Sequence, residues 1–331
     1  MNYLITGITG HLGNTIARKL LEQGASVRGL ALANDKIVDQ LPSEIEIFRG
    51  NIADKESMRP FFTIDKDEET VLIHSAGIVT IASKFDQAVR DVNVGGTKNI
   101  LDLCEEYGIK KLIYVSSVHA IPERPHGEVI TESSDFSPEK VVGLYAKTKA
   151  EATALVLEAA TRGLHACVVH PSGIMGPYDY GRGHLTQLLI DYSQGRLVAG
   201  VKGGYDFVDV RDVAEGILAC SKKGRSGEGY ILSNRYFTVQ EMLEMFHKVT
   251  GKKRVKAVIP MWIAKLTAPL SESYYRILKQ PPLYTPYSLF TLTSNSRFSH
   301  EKASRELGYK VTPIEKTVRD MVDWLKNQKR I

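Results

Sequence analysis

The chain has 331 residues, 43 Lys plus Arg against 38 Asp plus Glu, and a formal net charge of +5. Its basic residues are spread along the chain, which argues against a nucleic-acid partner, and Gly251-Lys-Lys-Arg-Val-Lys256 reads as a solvated helix end. No apolar run approaches the ~18 residues of a membrane span. Cys104, Cys167 and Cys220 have no zinc-like spacing and read as buried thiols of a reducing compartment.

A first strand is predicted at Tyr3-Leu4-Ile5, so close to the start that no leader is expected and a cytoplasmic location follows. Thr6-Gly7-Ile8-Thr9-Gly10-His11-Leu12-Gly13 comes next, and Leu12 to Leu21 has helical periodicity. A strand turning into a helix on glycines leaves backbone N–H groups at a helix N-terminus, where a pyrophosphate is favoured. Gly7 would allow the tight turn, Gly10 the approach of phosphate, and Gly13 the packing of helix on strand.

Further strands are predicted at 25–32, 44–48, 70–73, 111–117 and 166–170, with helices at about 85–107 and 144–162 between them. That alternation predicts an α/β fold with a Rossmann-type doubly wound parallel sheet and helices on both faces. Past Pro171 the pattern becomes mixed, and 207–210, 213–220 and 230–232 are read as a return to the main sheet. Thr238-Val-Gln-Glu241 is a capping-box signature for a helix ending near Gly251, and helices follow at about 262–278, 299–307 and 313–326. The expected division is a dinucleotide-binding domain (1–171 and 205–235) and a smaller substrate-binding lobe (172–204 and 236–331).

Tyr145-Ala-Lys-Thr-Lys149 places Tyr145 and Lys149 on one helix face. An ammonium there would stabilise the phenolate and lower its pKa from about 10, making the tyrosine a general acid or base. Ser116 and Ser117 close the fifth strand at the carboxyl edge, where ligands of such sheets bind.

With glycine turn, strand-end serines and Tyr-x-x-x-Lys in that order, the chain resembles the extended short-chain dehydrogenase/reductase superfamily, also called the NAD-dependent epimerase/dehydratase superfamily. Within it the chain looks most like the dihydroflavonol-reductase-like and 3β-hydroxysteroid-dehydrogenase-like branch. Further matches are Gly50-Asn51-Ile52, His74-Ser-Ala-Gly77, Asn93-Val-Gly-Gly-Thr97-Lys-Asn99, His170-Pro-Ser-Gly-Ile-Met-Gly-Pro177, Phe207-Val-Asp-Val-Arg-Asp-Val213 and Ser299-x-x-Lys302-Ala-x-x-Glu306.

The resemblance implies an NAD(P)(H)-dependent oxidoreductase acting on an aldehyde, ketone or the matching alcohol, with no metal. Tyr145 would pass the proton, Lys149 bond the nicotinamide ribose, and Ser117 orient the substrate oxygen, with Ser116 as fallback. Thr6, Gly7, Thr9, Gly10, His11, Leu12 and Gly13 would hold the pyrophosphate. Asn51 and Ile52 would receive adenine, with asparagine where an aspartate is usual. Ser75, Ala76, Gly77, Val115, His170, Pro171 and Ser172 would complete the cofactor cleft. Ile78, His119, Tyr178, Tyr180 and Arg182 are substrate-pocket candidates, as is His126. Asn93 and Asn99 would pack helices and anchor loops, and His74 would be a satisfied strand-end histidine.

No carboxylate stands at Ala31-Leu32, where one would accept a ribose 2′-OH and repel a 2′-phosphate. NADP(H) is therefore favoured over NAD(H), with Arg28, Lys36 or His11 as phosphate partners near Leu32. A nucleotide-sugar epimerase or dehydratase is the first rival; glycine at the place of its usual asparagine opposes it, while Arg182 and Arg276 keep it open. A non-enzymatic NADP-binding redox sensor is the second, opposed by the intact Tyr-x-x-x-Lys pair. A homodimer through the helices around Val94 and Ala152 is expected from the resemblance.

Overall fold

Buried apolar strands alternating with amphipathic helices give one seven-stranded parallel sheet in the computed structural model, which describes residues 2–64, 69–82, 85–181, 183–268 and 285–331. Its strands are β1 (Asn2–Thr6), β2 (Ser26–Ala31), β3 (Glu46–Arg49), β4 (Thr70–His74), β5 (Lys111–Val115), β6 (Ala166–Pro171) and β10 (Gly229–Leu232), in the order β10-β6-β5-β4-β1-β2-β3. β1 pairs with β2 on one side and β4 on the other, aligning Thr6 with Leu30 and His74. Chain order reverses at β1, so a crevice opens beyond its carboxyl end.

Helices cover both faces because parallel neighbours need crossovers. On one face lie α1 (His11–Glu22), α7 (Val210–Lys223) and α11 (Glu301–Leu307), which bury Ile16, Leu20, Val213, Ile217 and Leu307. On the other lie α2 (Lys55–Phe62), α4 (Gly96–Tyr107) and α5 (Leu144–Thr161), with Phe61, Ile100, Leu103 and Val156 in the core. Leu4 and Ile5 of β1 have no solvent exposure, and each such side chain contributes about 1.5–3 kcal/mol. The three cysteines are buried, as their apolar neighbours imply.

The expected helix over 85–107 is interrupted. α3 (Gln87–Arg90) passes through a wide π-turn at Asp91–Gly95 before α4 begins. Val94 and Ala152, on the helices expected to pair between copies, are buried within the chain itself.

Beyond Pro171 the strands leave the main sheet. β7 (Gly173–Met175), β9 (Gly204–Asp209) and β11 (Arg235–Thr238) form a second sheet in the order β11-β9-β7. Residues 207–210 therefore do not return to the main sheet; only 229–232 do. A second core joins this sheet to α6 (His184–Ser193), α8 (Val239–Thr250) and α12 (Ile314–Asn327) through Phe207, Phe237, Leu243, Phe246 and Met321. The capping box forms as read: Thr238 and Glu241 bond each other's backbone N–H, and α8 ends at Gly251 with φ +67°. β8 (Gly200–Val201) pairs with β12 (Val258–Ile259), followed by a helix at 261–268 (α9) and by α10 (Pro286–Thr293). The remainder of the helix expected to reach 278 lies outside the described residues.

Candidate active site

The glycine turn is built so tightly that only glycine fits. Gly7 has φ +71°, and a Cβ there would lie 2.8 Å from the Ala76 backbone. A Cβ on Gly13 would stand 2.1 Å from the Gly7 carbonyl oxygen. Gly10 is exposed and caps α1 without a side-chain bond, and the first turn of the helix carries no acid. Those N–H groups and the helix dipole fit a pyrophosphate. Beside them Gly77 is exposed, with a Cβ position 3.8 Å from Lys149 Nζ.

A buried chain of hydrogen bonds ties these strand ends together. The Ala76 N–H donates to Thr6 Oγ1 (3.2 Å), which lies 2.7 Å from His74 Nδ1. His74 Nε2 lies 3.1 Å from Thr97 Oγ1, whose hydroxyl donates to the Asn93 carbonyl (2.7 Å). Thr97 thus accepts from an Nε2–H, and Nδ1 accepts from Thr6. Burial pushes the His74 pKa down to about 3 and keeps it neutral. Asn93 clamps Ile78 by both its N–H (2.8 Å) and its C=O (3.0 Å), while Asn99 holds the Ile52 carbonyl (2.9 Å).

Tyr145 is the second residue of α5, whose N-cap is Gly143 with φ +97°. A Cβ at Gly143 would meet the Tyr287 ring at 2.2 Å, so conformation and space both demand glycine there. One turn on, Lys149 donates to the Val115 carbonyl (2.7 Å) and the Tyr114 hydroxyl (3.2 Å). Ser116 turns inward to Thr153 (2.7 Å), whereas the Ser117 hydroxyl accepts from the His119 N–H (3.2 Å) and is the serine that acts on the Tyr145 pKa. His170 Nδ1 meets the Ser117 carbonyl (3.1 Å) and holds that backbone.

The expected depression of the tyrosine pKa is not what the geometry produces. Burial pushes Tyr145 up to about 12, partly offset by the Ser117 hydroxyl. Lys149 is itself pushed down to about 7 by burial, and its amine is directed at the Val115 carbonyl rather than the phenol.

His119 joins the site. Its ring packs edge-on to Tyr145 (6.1 Å between centroids) and stacks on Tyr205 (5.4 Å), whose hydroxyl lies 2.8 Å from Nε2. Burial lowers the His119 pKa to about 4. Tyr287 of α10 completes the wall, 6.2 Å from His119, with a buried hydroxyl that has no hydrogen-bond partner among the described residues. Phe207 and Phe298 pack on Tyr205 behind them. Tyr205 stands in an alternating strand pattern that could have flagged it; Tyr287 carried no local signal.

Other expected residues serve elsewhere. Arg28 is held by Glu46 (2.6 Å) and the Thr63 carbonyl (2.6 Å), towards the amino ends of the strands, away from a 2′-phosphate. His11 bonds the Pro177 carbonyl (2.9 Å), and burial lowers its pKa. His170 is fully buried and stacked on Phe136, leaving no surface for a cofactor. Ser172 donates to Asp206 Oδ1 (2.5 Å), tying β6 to β9; burial raises the Asp206 pKa to about 7. Tyr178 and Tyr180 pack on Trp324 of α12, and Arg18 covers Tyr178, which has φ +73°. Asn51 Oδ1 closes its own turn onto the Ala53 N–H (3.0 Å). His126 is exposed. Arg182 and Arg276 lie outside the described residues.

A residue the sequence reading passed over is Arg49, at the end of β3. Its Nη1 donates to the carbonyls of Leu32 (2.9 Å) and Asp35 (3.2 Å), just past the end of β2. The Asp35 carboxylate is turned to the Ile37 N–H (2.9 Å).

Residues 3–233 match the model of the NAD dependent epimerase/dehydratase family. The chain is 30% identical to sterol demethylase protein B of Methylococcus capsulatus over 99% of both chains. It is 29% identical to a putative dihydroflavonol 4-reductase of Synechocystis, over 98% of this chain and 94% of that one. Among solved structures it is similar to gox2253, with a TM-score of 0.85 and 29% identity over 99% of both chains. With the glycine turn, the sheet reversal and the Ser-Tyr-Lys cluster at one edge, these matches converge: the chain is an enzyme of the NAD dependent epimerase/dehydratase family.

Proposed function

We propose that the protein is an NAD(P)(H)-dependent oxidoreductase that reduces an aldehyde or ketone, or oxidises the matching alcohol, at Ser117, Tyr145 and Lys149. The observation that carries this reading is the buried Tyr145 phenol, with Ser117 close enough to act on its pKa, one helical turn from a lysine beside Gly77. The Gly7–Gly13 turn, Ala76, Gly77 and Lys149 would hold the dinucleotide, which supplies the hydride donor or acceptor when bound. Ser117 would bond the substrate oxygen and set it against Tyr145. A phenol pushed up to about 12 is protonated at neutral pH and gives its proton only as negative charge builds on that oxygen, which favours reduction. Lys149, with a pKa of about 7, is partly charged at neutral pH and supplies positive potential beside the ribose side of the cleft.

NADP(H) is the cofactor we favour, with NAD(H) the alternative. Arg49 and Lys36 flank the end of β2, and the nearby Asp35 carboxylate is already engaged. The wall of His119, Tyr205 and Tyr287 offers aromatic ring faces, and the relatives are named for a sterol and a dihydroflavonol. A ring-containing, largely apolar carbonyl compound suits that wall.

The test is loss of NADPH or NADH absorbance with a panel of steroid, flavonoid and simple ketones and aldehydes. Tyr145→Phe should keep cofactor affinity while lowering turnover at least ~100-fold. Unchanged turnover in that variant would remove the tyrosine from the chemistry. Interconversion of UDP-hexoses without net cofactor consumption would replace this reading with an epimerase.

A further inference from the structure

The cationic stretch that reads as a solvated helix end continues into a segment of unusual composition. Between Glu244 and Glu272 the chain has no carboxylate side chain, while Lys248, Lys252, Lys253, Arg254, Lys256 and Lys265 fall within it. Arg254 is engaged by Glu244 at 2.5 Å; Lys252, Lys253, Lys256 and Lys265 are exposed. Set among them are exposed apolar side chains: Val258 at 40%, Trp262 at 69% and Leu266 at 71%. Trp262 and Leu266 stand one turn apart on α9 and share its outer face, with Lys265 beside them. The inner face buries Ala264 and Ala268 against Leu289 of α10. α10 is the helix that brings Tyr287 to the pocket wall, so the outer face of α9 lies one helix removed from Tyr145.

We propose that α9 and the β12 strand before it form a docking face for an anionic lipid bilayer, with Trp262 and Leu266 entering the interface and the surrounding lysines meeting headgroups. Aromatic and aliphatic side chains interleaved with lysines, without acids, are the composition of a helix lying in the interfacial plane. Among the described residues no helix is long and apolar enough to cross a membrane, so the contact is peripheral. A second copy is a poorer occupant. A two-fold contact sets the same patch against itself, so lysines would face lysines across it. The consequence that a lipophilic substrate enters from the membrane rests on the activity proposed above; the docking does not.

The test is co-sedimentation with vesicles of phosphatidylcholine alone or of phosphatidylcholine with phosphatidylglycerol. The full chain should partition at least about tenfold more strongly onto the anionic vesicles, and less so as salt rises. A Trp262→Ser, Leu266→Ser double variant should lose about tenfold of that binding while keeping its circular dichroism and its cofactor affinity. The chain has two tryptophans, so Trp324→Phe leaves Trp262 as the only emitter; its fluorescence should shift blue on anionic vesicles and stay put on neutral ones. Equal sedimentation of wild type and double variant, or no blue shift, overturns the proposal. Absence of vesicle binding together with a dimer that the double variant abolishes would assign the face to a second copy instead. None of these readouts depends on turnover, so they stand whether or not the carbonyl reaction does.

Discussion

From Thr6 to Gly13 the protein offers a ligand its backbone, while around Tyr145 it offers side chains gathered from far apart in the chain. The turn is one continuous stretch in which a single methyl at Gly13 would strike the Gly7 carbonyl. The cluster takes Ser117 and His119 from just past the end of β5, Tyr205 from β9 and Tyr287 from α10, its three rings held together by contacts of 5.4–6.2 Å. A surface made of backbone recognises a group common to many ligands and cannot vary without breaking. A surface made of side chains can change its ligand one residue at a time. Family membership is therefore expressed in the turn, and substrate choice in the wall.

Gly13→Ala tests the first half of that contrast and should have the largest effect. The new Cβ meets backbone rather than a movable side chain, so the variant should lose at least ~3 kcal/mol of stability or ~100-fold in dinucleotide affinity. Chemical denaturation and a cofactor titration read the two losses. Wild-type values for both would show that the turn has slack.

Arg49→Ala tests the boundary, a side chain proposed to add cofactor selectivity to a backbone site. NADPH affinity should weaken about tenfold, with NADH affinity held within about twofold. An equal effect on both cofactors would reduce Arg49 to a brace for the loop after β2.

Tyr287→Phe probes the wall and should be the mildest. Removing a buried hydroxyl that has no partner among the described residues leaves stability unchanged or raises it by about 1 kcal/mol. If that hydroxyl meets the substrate, KM for the carbonyl compound rises about three- to tenfold while cofactor affinity is untouched. A variant with unchanged KM would leave Tyr287 as packing alone.

How much of this could be read in advance follows the same division. The strands of the main sheet, the glycine turn and the helix that carries Tyr145 and Lys149 are local patterns, and the structure forms them at the expected places. Ser117 could be separated from Ser116 only by seeing which one turns away to Thr153. Arg28 suits a phosphate only in that it lies on β2; a strand residue three places before the carboxyl end faces a different neighbourhood, and Glu46 opposite it takes the charge. Arg49 was hidden for the converse reason: it belongs to β3 but reaches across to the carbonyls of the adjoining loop. The tyrosine pKa moves opposite to the expectation because sequence supplies a charge and its spacing but not the burial, which pushes Tyr145 up and Lys149 down. Tyr178 and Tyr180 cluster near the cleft in sequence, while their rings are claimed by Trp324, more than a hundred residues later.

The π-turn at Asp91–Gly95 gives the long helix two rotational phases. One added residue in a helix advances everything after it by about 100° around the axis. Before the turn, Val89 faces the core; after it, Ile100, Leu103 and Cys104 do, and the turn between them points Asn93 at Ile78 and Thr148. A helix of uniform pitch could satisfy the core at both ends or aim that asparagine, but not both. The irregularity is a phase shifter: it lets one rigid rod serve the packing of the sheet and the clamping of the loop beside Gly77.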